Sequence, residues 1–341
     1  MTFANMTRRA WLAGVAGLSL LSATAATAQE KDDVVLGALR FTSHAAGFVA
    51  YEKGYFDEEN LNVSFEFFQA AQPIAVATAS GDVDFGLAGV TGGMMNLAEK
   101  DAVRIVGGVL HEKKGVDGMM VMASNQAYEN GLDTVPEIKG HSMAMTQVGS
   151  TFHYMTSRIA DAEGFDISDV RLVPLQKVGA MVAALKSGQV DAMIMVPHIA
   201  KPLVESGAAK ELGWLYDYAE YQISTLFTSV DNIENNRDMV ERFIRAYAKG
   251  IAEFNRVMLA ENPDPAELDE MTRMIAKYVA PDKPYEEAMA SIQMGAMNLN
   301  EGLALNMTDV AAQMQWFKDQ NLVDSDLAVD QLVDDSFVET Y

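Results

Sequence analysis

A short block recurs 107 positions along the chain. Ser80-Gly81-Asp82-Val83-Asp84 stands over Ser187-Gly188-Gln189-Val190-Asp191, with four of five residues matching. The same offset pairs Gln69 with Gln176, Val63 with Val170, Ser43 with Ser150, and the apolar run 35–39 with 142–146. Between these blocks a small shift brings Gly54-Tyr55-Phe56-Asp57 against Gly164-Phe165-Asp166. Chance produces one such match, but a common offset across three strand ends points to a duplicated unit. The chain is therefore expected to fold as two similar lobes of about 100 residues each, within the roughly two-domain length that 341 residues allow.

The pattern inside each unit sets the class. Short β-branched or apolar runs lie at 34–39, 63–68, 83–88, 103–110, 142–146, 171–175, 192–196 and 213–215. Helical stretches at 47–59, 73–80, 151–163 and 180–186 separate them. Such alternation reads as βαβ units around parallel sheets, an α/β class. The last third differs. Val240, Phe243, Ile244, Tyr247, Ile251, Phe254 and Met258 fall at steps of three and four, one apolar face of a helix over 237–260. Further helices are predicted at 266–279, 285–297 and 308–320, packed against the α/β body.

Composition narrows the chemistry. With 49% apolar and 21% charged residues the chain is globular. It has no cysteine, which removes disulfides, thiolate metal sites and a cysteine nucleophile. Its five histidines show no HxH or HExxH spacing, so no metal site and no cofactor is expected. No GxSxG, P-loop or GxGxxG occurs. The net charge of −23 argues against a nucleic-acid partner, which needs clustered Lys and Arg. The N-terminus reads as an address: Arg8-Arg9, an apolar run from 10 to 21, and Ala26-Thr27-Ala28 form a signal peptide over 1–28, cleaved before Gln29. Thr7-Arg8-Arg9-Ala10-Trp11-Leu12 fits a twin-arginine export signal, and an ordinary Sec signal also accounts for it. Its removal takes two arginines and no acid, which leaves −25 on an exported protein.

In open parallel α/β sheets, ligands sit beyond the carboxyl ends of the strands, where helix N-termini present free N–H groups. Two facing lobes place two sets of strand ends around one cleft. The first strands end in Arg40-Phe41-Thr42-Ser43-His44 and in Gln147-Val148-Gly149-Ser150-Thr151. The second end around Gln72 and Gln176; the third end at Thr91 and His198, which are equivalent at the 107 offset. Arg40 is placed to clamp a carboxylate or sulfonate. Ser150 and Thr151 are either plain helix caps or part of an anion site. His44 and His198 are candidates to hydrogen-bond a ligand, and Phe41, Phe152 and Tyr221 to stack on a planar one. The expected ligand-binding set is thus Arg40, Phe41, Ser43, His44, Gln72, Thr91, Ser150, Thr151, Phe152, Gln176, His198 and Tyr221, with no catalytic residue.

Longer motifs add a family resemblance. Gly37-Ala38-Leu39, His44 to Ala50, and Glu52-Lys53-Gly54-Tyr55-Phe56-Asp57-Glu58-Glu59-Asn60-Leu61-Asn62-Val63 resemble the opening of the NMT1/THI5-like and SsuA/TauA-type (nitrate, sulfonate, taurine) solute-binding proteins. Ala79 to Gly86, Ile138-Lys139-Gly140, Leu185 to Ala192 and the tail from Trp316 to Phe337 resemble later blocks of that family. The resemblance implies a periplasmic-binding-protein type II fold. Two α/β lobes are then joined by two crossing strands, near 118–123 and 223–229, with a helical C-terminal segment on lobe one. Lobe one would comprise 29–119 plus 228–341, and lobe two 120–227. It further implies a monomeric periplasmic component of an ABC importer, not an enzyme. Such a protein closes on a small-molecule solute and delivers it to the permease subunits. Arg40 with Ser150 and Thr151 points to a small organic anion, a sulfonate or carboxylate. His44 keeps open a pyrimidine precursor of thiamine. Two other classes are an enzyme like the fungal pyrimidine synthases, whose cysteine-rich segment has no counterpart here, and a sensory ligand-binding domain.

Overall fold

The computed structural model describes residues 30–341; the expected export signal lies outside the described residues. The ten described strands form two five-stranded sheets. The first holds β1 (Asp32–Ala38), β2 (Leu61–Phe67), β3 (Phe85–Gly89), β4 (Val103–Glu112) and β10 (Tyr221–Ser229), in the order β2-β1-β3-β10-β4. The second holds β5 (Met120–Ala123), β6 (Ser142–Met145), β7 (Arg171–Pro174), β8 (Ala192–Met195) and β9 (Lys210–Trp214), in the order β7-β6-β8-β5-β9. The orders superpose. Three strands run parallel in each sheet, and a fourth, β10 or β5, enters antiparallel beside the third.

The 107-residue repeat is visible in bonding as well as topology. The Asp84 carboxylate accepts the Val35 N–H at 2.7 Å, and the Asp191 carboxylate accepts the Ser142 N–H at 2.8 Å. Each ties the turn before the third strand to the start of the first. The helices of the α/β body are α1 (Ala45–Glu52), α2 (Tyr55–Glu58), α3 (Ala71–Ser80), α4 (Gly92–Ala98), α5 (Asn125–Glu129), α6 (Thr151–Glu163), α7 (Val178–Lys186) and α8 (Pro197–Glu205). The helix expected over 47–59 is two helices, because Gly54 between them takes a left-handed φ of 77°.

Residues 221–227, expected in lobe two, belong to β10, which pairs with β3 and β4. The chain therefore passes between sheets at 113–119 and 215–220, and the expected crossings at 118–123 and 223–229 are corrected accordingly. A fully buried strand and a buried crossing carry the same apolar run, so hydropathy does not separate them.

The C-terminal helices follow: α9 (Val230–Asn235), α10 (Arg237–Met258), α11 (Pro265–Val279), α12 (Tyr285–Gln293), α13 (Met307–Asp319) and α14 (Val329–Leu332). Six of the seven apolar-face residues of α10 are buried as the spacing predicts, and Met258 at its end is half-buried. Phe243 stacks on Phe85 of β3 at 3.9 Å and on Phe56 of α2 at 5.0 Å. The tail also reaches lobe two. A Cβ at Gly295 would lie 2.2 Å from that of His198 in α8, and Trp316 of α13 packs edge-on against His153 and Tyr154 of α6. No described helix is long and apolar enough to cross a membrane.

Candidate functional site

The strand ends of both sheets meet around one cavity of about 60 Å³. At the 10–15 Å³ that one water requires, this is room for about five water-sized groups. Lobe one contributes Leu39, Phe41, Ser43, His44, Ala70, Ala71, Gln72, Gly89, Thr91, Leu110, Ile223 and Ser224. Lobe two contributes Thr146, Gln147, Ser150, Thr151, Phe152, Met155, Val178 and Val196, and Met119 lies on a crossing segment. The wall is mainly apolar, set with hydroxyls and amides. None of these residues is Asp, Glu, Lys or Arg.

The two lobes touch around the cavity. The Gly92 N–H donates to the Gly149 carbonyl at 3.0 Å, and the Val178 N–H to the Gln69 carbonyl at 3.4 Å. The Thr151 hydroxyl reaches the Val90 carbonyl at 3.5 Å. This approach requires glycine at 89, where a Cβ would stand 2.3 Å from the Thr151 Oγ1. The two lobes are thus in direct contact at the rim of the cavity.

Helix N-termini rim the cavity, as an α/β switch point predicts. Ser150 caps α6 by accepting the His153 N–H at 3.4 Å, and Thr91 caps α4 by accepting the Met94 N–H at 3.1 Å. α3 begins at Ala70-Ala71-Gln72 beside the cavity with no side-chain cap, so the N–H groups of Ala71 and Gln72 have no capping partner. His44 is buried, and its Nδ1 accepts the Leu39 N–H at 3.1 Å. Burial first, and then the neighbouring His198, push its pKa down to about 3, so the ring is neutral. The Phe41 ring stands edge-on to both histidines, with centroids at 5.6 Å and 5.3 Å.

A family model described as NMT1/THI5 like matches residues 41–266. The chain belongs to the NMT1/THI5-like family. No curated protein matches it by sequence. Among solved structures, the chain is similar to the alkanesulfonate-binding protein SsuA of Xanthomonas axonopodis pv. citri bound to MOPS. The TM-score is 0.70 at 17% identity, covering 91% of this chain and 100% of that one. The periplasmic nitrate-binding protein NrtA of Synechocystis PCC 6803 gives 0.68 at 14% identity, covering 89% and 86%. The desulfurization enzyme DSZB gives 0.57 at 14% identity, covering 90% and 97%. At these identities the likeness is one of fold, the two-lobe periplasmic-binding-protein architecture.

Of the twelve residues expected at the site, this NMT1/THI5-like chain brings eight to the cavity: Phe41, Ser43, His44, Gln72, Thr91, Ser150, Thr151 and Phe152. Four lie elsewhere. Arg40 is exposed; it sits in a bend past β1, where the Phe41 N–H donates to the Leu39 carbonyl at 2.8 Å, and its guanidinium lies 3.8 Å over the Phe67 ring and donates to the Tyr278 carbonyl. Gln176 is exposed, turned out by a left-handed φ of 66°. His198 lies behind Phe41, on an outer groove shared with Arg40. Tyr221 is 1% exposed in the core, edge-on to Tyr154. Among the lining residues outside the expected set, Leu110, Met119, Ile223 and Ser224 come from β4, β10 and the crossing segment. They follow no strand-end motif. Met119 is held there by Glu112, whose two carboxylate oxygens accept its N–H at 3.1 and 3.0 Å.

Proposed function

We propose that the protein is the periplasmic solute-binding component of an ABC importer, and that it binds a compact organic solute without chemically altering it. The supporting observation is the cavity itself, small, mostly apolar and assembled from the strand ends of both lobes. A solute bridging the lobes makes contacts in the closed state that the open state lacks, so binding shifts the population toward closure. The lobes would turn about the segments 113–119 and 215–220. The permease would read the closed form. Phe41 from lobe one and Phe152 from lobe two favour a solute with a planar or apolar body. The export signal expected over 1–28 supports a periplasmic location, and a monomer suffices for this role.

Support for an anionic solute has changed its footing. The expected arginine clamp points away, so a sulfonate or carboxylate would rest on the N-termini of α3 and α6 and on neutral donors. That reading stands second to an uncharged heterocycle, such as a pyrimidine, which loses less hydration on entering an apolar chamber.

The test is a thermal-shift screen of the mature protein with heterocycles, aromatic carboxylates, sulfonates and nitrate, followed by calorimetry and small-angle scattering. A true ligand adds about 2.7 kcal/mol at one hundred times its Kd. It should also be recovered intact by mass spectrometry after prolonged incubation. Turnover of the bound compound would replace the binder by an enzyme.

A further inference from the structure

We propose that the cavity selects its solute by a hydrogen-bond-accepting edge, because four of the side chains facing it, His44, Gln72, Ser150 and Ser224, hold a free donor for it. The inference rests on the solute-binding reading and names what that solute must carry.

Three of the groups are committed by bonds they already accept. The His44 Nδ1 is taken by the Leu39 N–H, so the ring proton sits on Nε2. The Thr91 Oγ1 accepts the Met94 N–H at 3.1 Å and spends its proton on the Gln72 Oε1 at 3.0 Å. The carboxamide oxygen of Gln72 is thereby occupied and its NH2 remains. Glycine at 93 permits this pose, since a Cβ there would fall 1.9 Å from the Gln72 Oε1. The Ser150 Oγ accepts the His153 N–H, which leaves its hydroxyl proton to the cavity.

Ser224 is the fourth group and the most telling. It lines the cavity, is 3% exposed, and its hydroxyl has no partner. The pairing of β10 with β4 shifts register on both sides of it, between Gln222 and Ser224 and between Ser224 and Thr225. Such irregularities re-aim side chains, and they recur at functional sites. A buried hydroxyl without a partner is costly, and a bound acceptor relieves that cost. Asp and Glu are absent from the cavity wall, so no carboxylate there would receive a donor.

A solute presenting only N–H groups would leave the His44 and Gln72 donors unpaired, whereas ring nitrogens, carbonyls, carboxylates or sulfonates would satisfy the array. Sites built to bond a specific polar group reject analogues lacking it strongly, because their own buried groups are left unpaired.

The experiment is calorimetry of the mature protein with three ring-sized probes. Pyrimidine is a neutral acceptor, benzenesulfonate an anionic acceptor, and pyrrole a neutral donor. At least one acceptor should bind ~10-fold or more tightly than pyrrole. The better of the two tells whether the acceptor edge is neutral or charged. Ser224→Ala should weaken the acceptor ~10-fold, and Gln72→Glu should weaken it while narrowing the gap to pyrrole. Pyrrole binding as tightly as both acceptors, or an unchanged acceptor affinity in a folded Ser224→Ala, overturns the donor array and leaves the solute-binding reading standing. If no probe binds, the compact-ring reading of the site falls as well.

Discussion

The two lobes share a scaffold down to one side-chain bond, yet they differ at nearly every position that faces the cavity. Both sheets have the same strand order, and in both an aspartate after a Ser-Gly-x-Val turn holds an N–H of the first strand. At the strand ends the likeness stops. Lobe one offers Phe41, His44 and Gln72, whereas lobe two offers Ser150, Thr151 and Phe152 from the first turn of α6. Lobe one also carries α10, which lobe two lacks. Apart from Ser43 and Ser150, which line the cavity from both lobes, the repeated residues are those that build the frame. The unrepeated ones decide what it binds and which lobe depends on the tail.

The largest test of that asymmetry removes the aromatic contact of α10. Phe243 is fully buried and stacked on Phe85, so Phe243→Ala should cost about 3–5 kcal/mol in chemical denaturation. Hydrogen exchange should then show lost protection in β1 and β3 while β6 and β8 keep theirs. Equal loss in both sheets would mean that the lobes unfold as one unit.

Next in size is the shared bond. Asp84→Ala and Asp191→Ala should each destabilise by about 1–3 kcal/mol, because each leaves a strand N–H without its acceptor. Asp191→Ala should cost more, since Asp191 also accepts the Ser142 hydroxyl at 2.7 Å. A larger loss at Asp84, measured in urea, would break the equivalence on which the duplication rests.

This contrast explains what was legible in the sequence. The Ser-Gly-x-Val-Asp blocks are constrained by a turn and a backbone bond, so they recur and can be read. The α10 face is legible because a long helix repeats its apolar positions every three or four residues. The cavity is assembled differently. Phe41, His44 and Ser150 follow strands directly and were found by position. Ser224 and Met119 reach it through an irregular strand and a crossing segment, and their neighbours in sequence are plain core. Arg40 shares the strand-end position yet faces outward, because it sits in a bend past the end of β1, and neither hydropathy nor position reports which way a bend turns a side chain.

A third test uses pH and compares the crossing with the strand ends. Glu112, 0% exposed at the end of β4, has its pKa raised to about 8 by burial, which outweighs the N–H groups of Met119 and Tyr216. Between its ordinary value of 4.5 and about 8 the folded protein holds a proton that the unfolded chain has released. Its contribution therefore falls as pH rises through that window. His44 and His198 act oppositely. Burial lowers both from 6.5 to about 3, so their contribution is lost as pH falls through that range. The thermal midpoint should be highest near pH 6.5 and decline on both sides. Glu112→Gln should flatten the alkaline decline and steepen the acid one between 4.5 and 6.5, where the opposing contribution of Glu112 is removed. An unchanged alkaline limb would remove Glu112 from the account.

The smallest effect concerns Arg40, which separates the reading of the sequence from that of the fold. As a ligand clamp, its loss would cost a large part of the affinity, because a buried anion would be left without its counter-charge. In the structure its guanidinium covers the Phe67 ring and bonds the Tyr278 carbonyl on α11, and it lines the outer groove instead of the cavity. An exposed cation–π contact contributes about 0.5–1 kcal/mol. Arg40→Ala should therefore lower stability by no more than about 1 kcal/mol and leave affinity for the cavity ligand unchanged. Phe41→Ala, one residue on, should weaken that affinity, since its ring faces the opposite way and forms the cavity wall. A loss of affinity in Arg40→Ala that salt partly masks would show that the solute's charge extends past Phe41 into the outer groove, where Arg40 and His198 meet. With affinity unchanged, the neutral donors and helix N-termini of the cavity must hold the solute unaided.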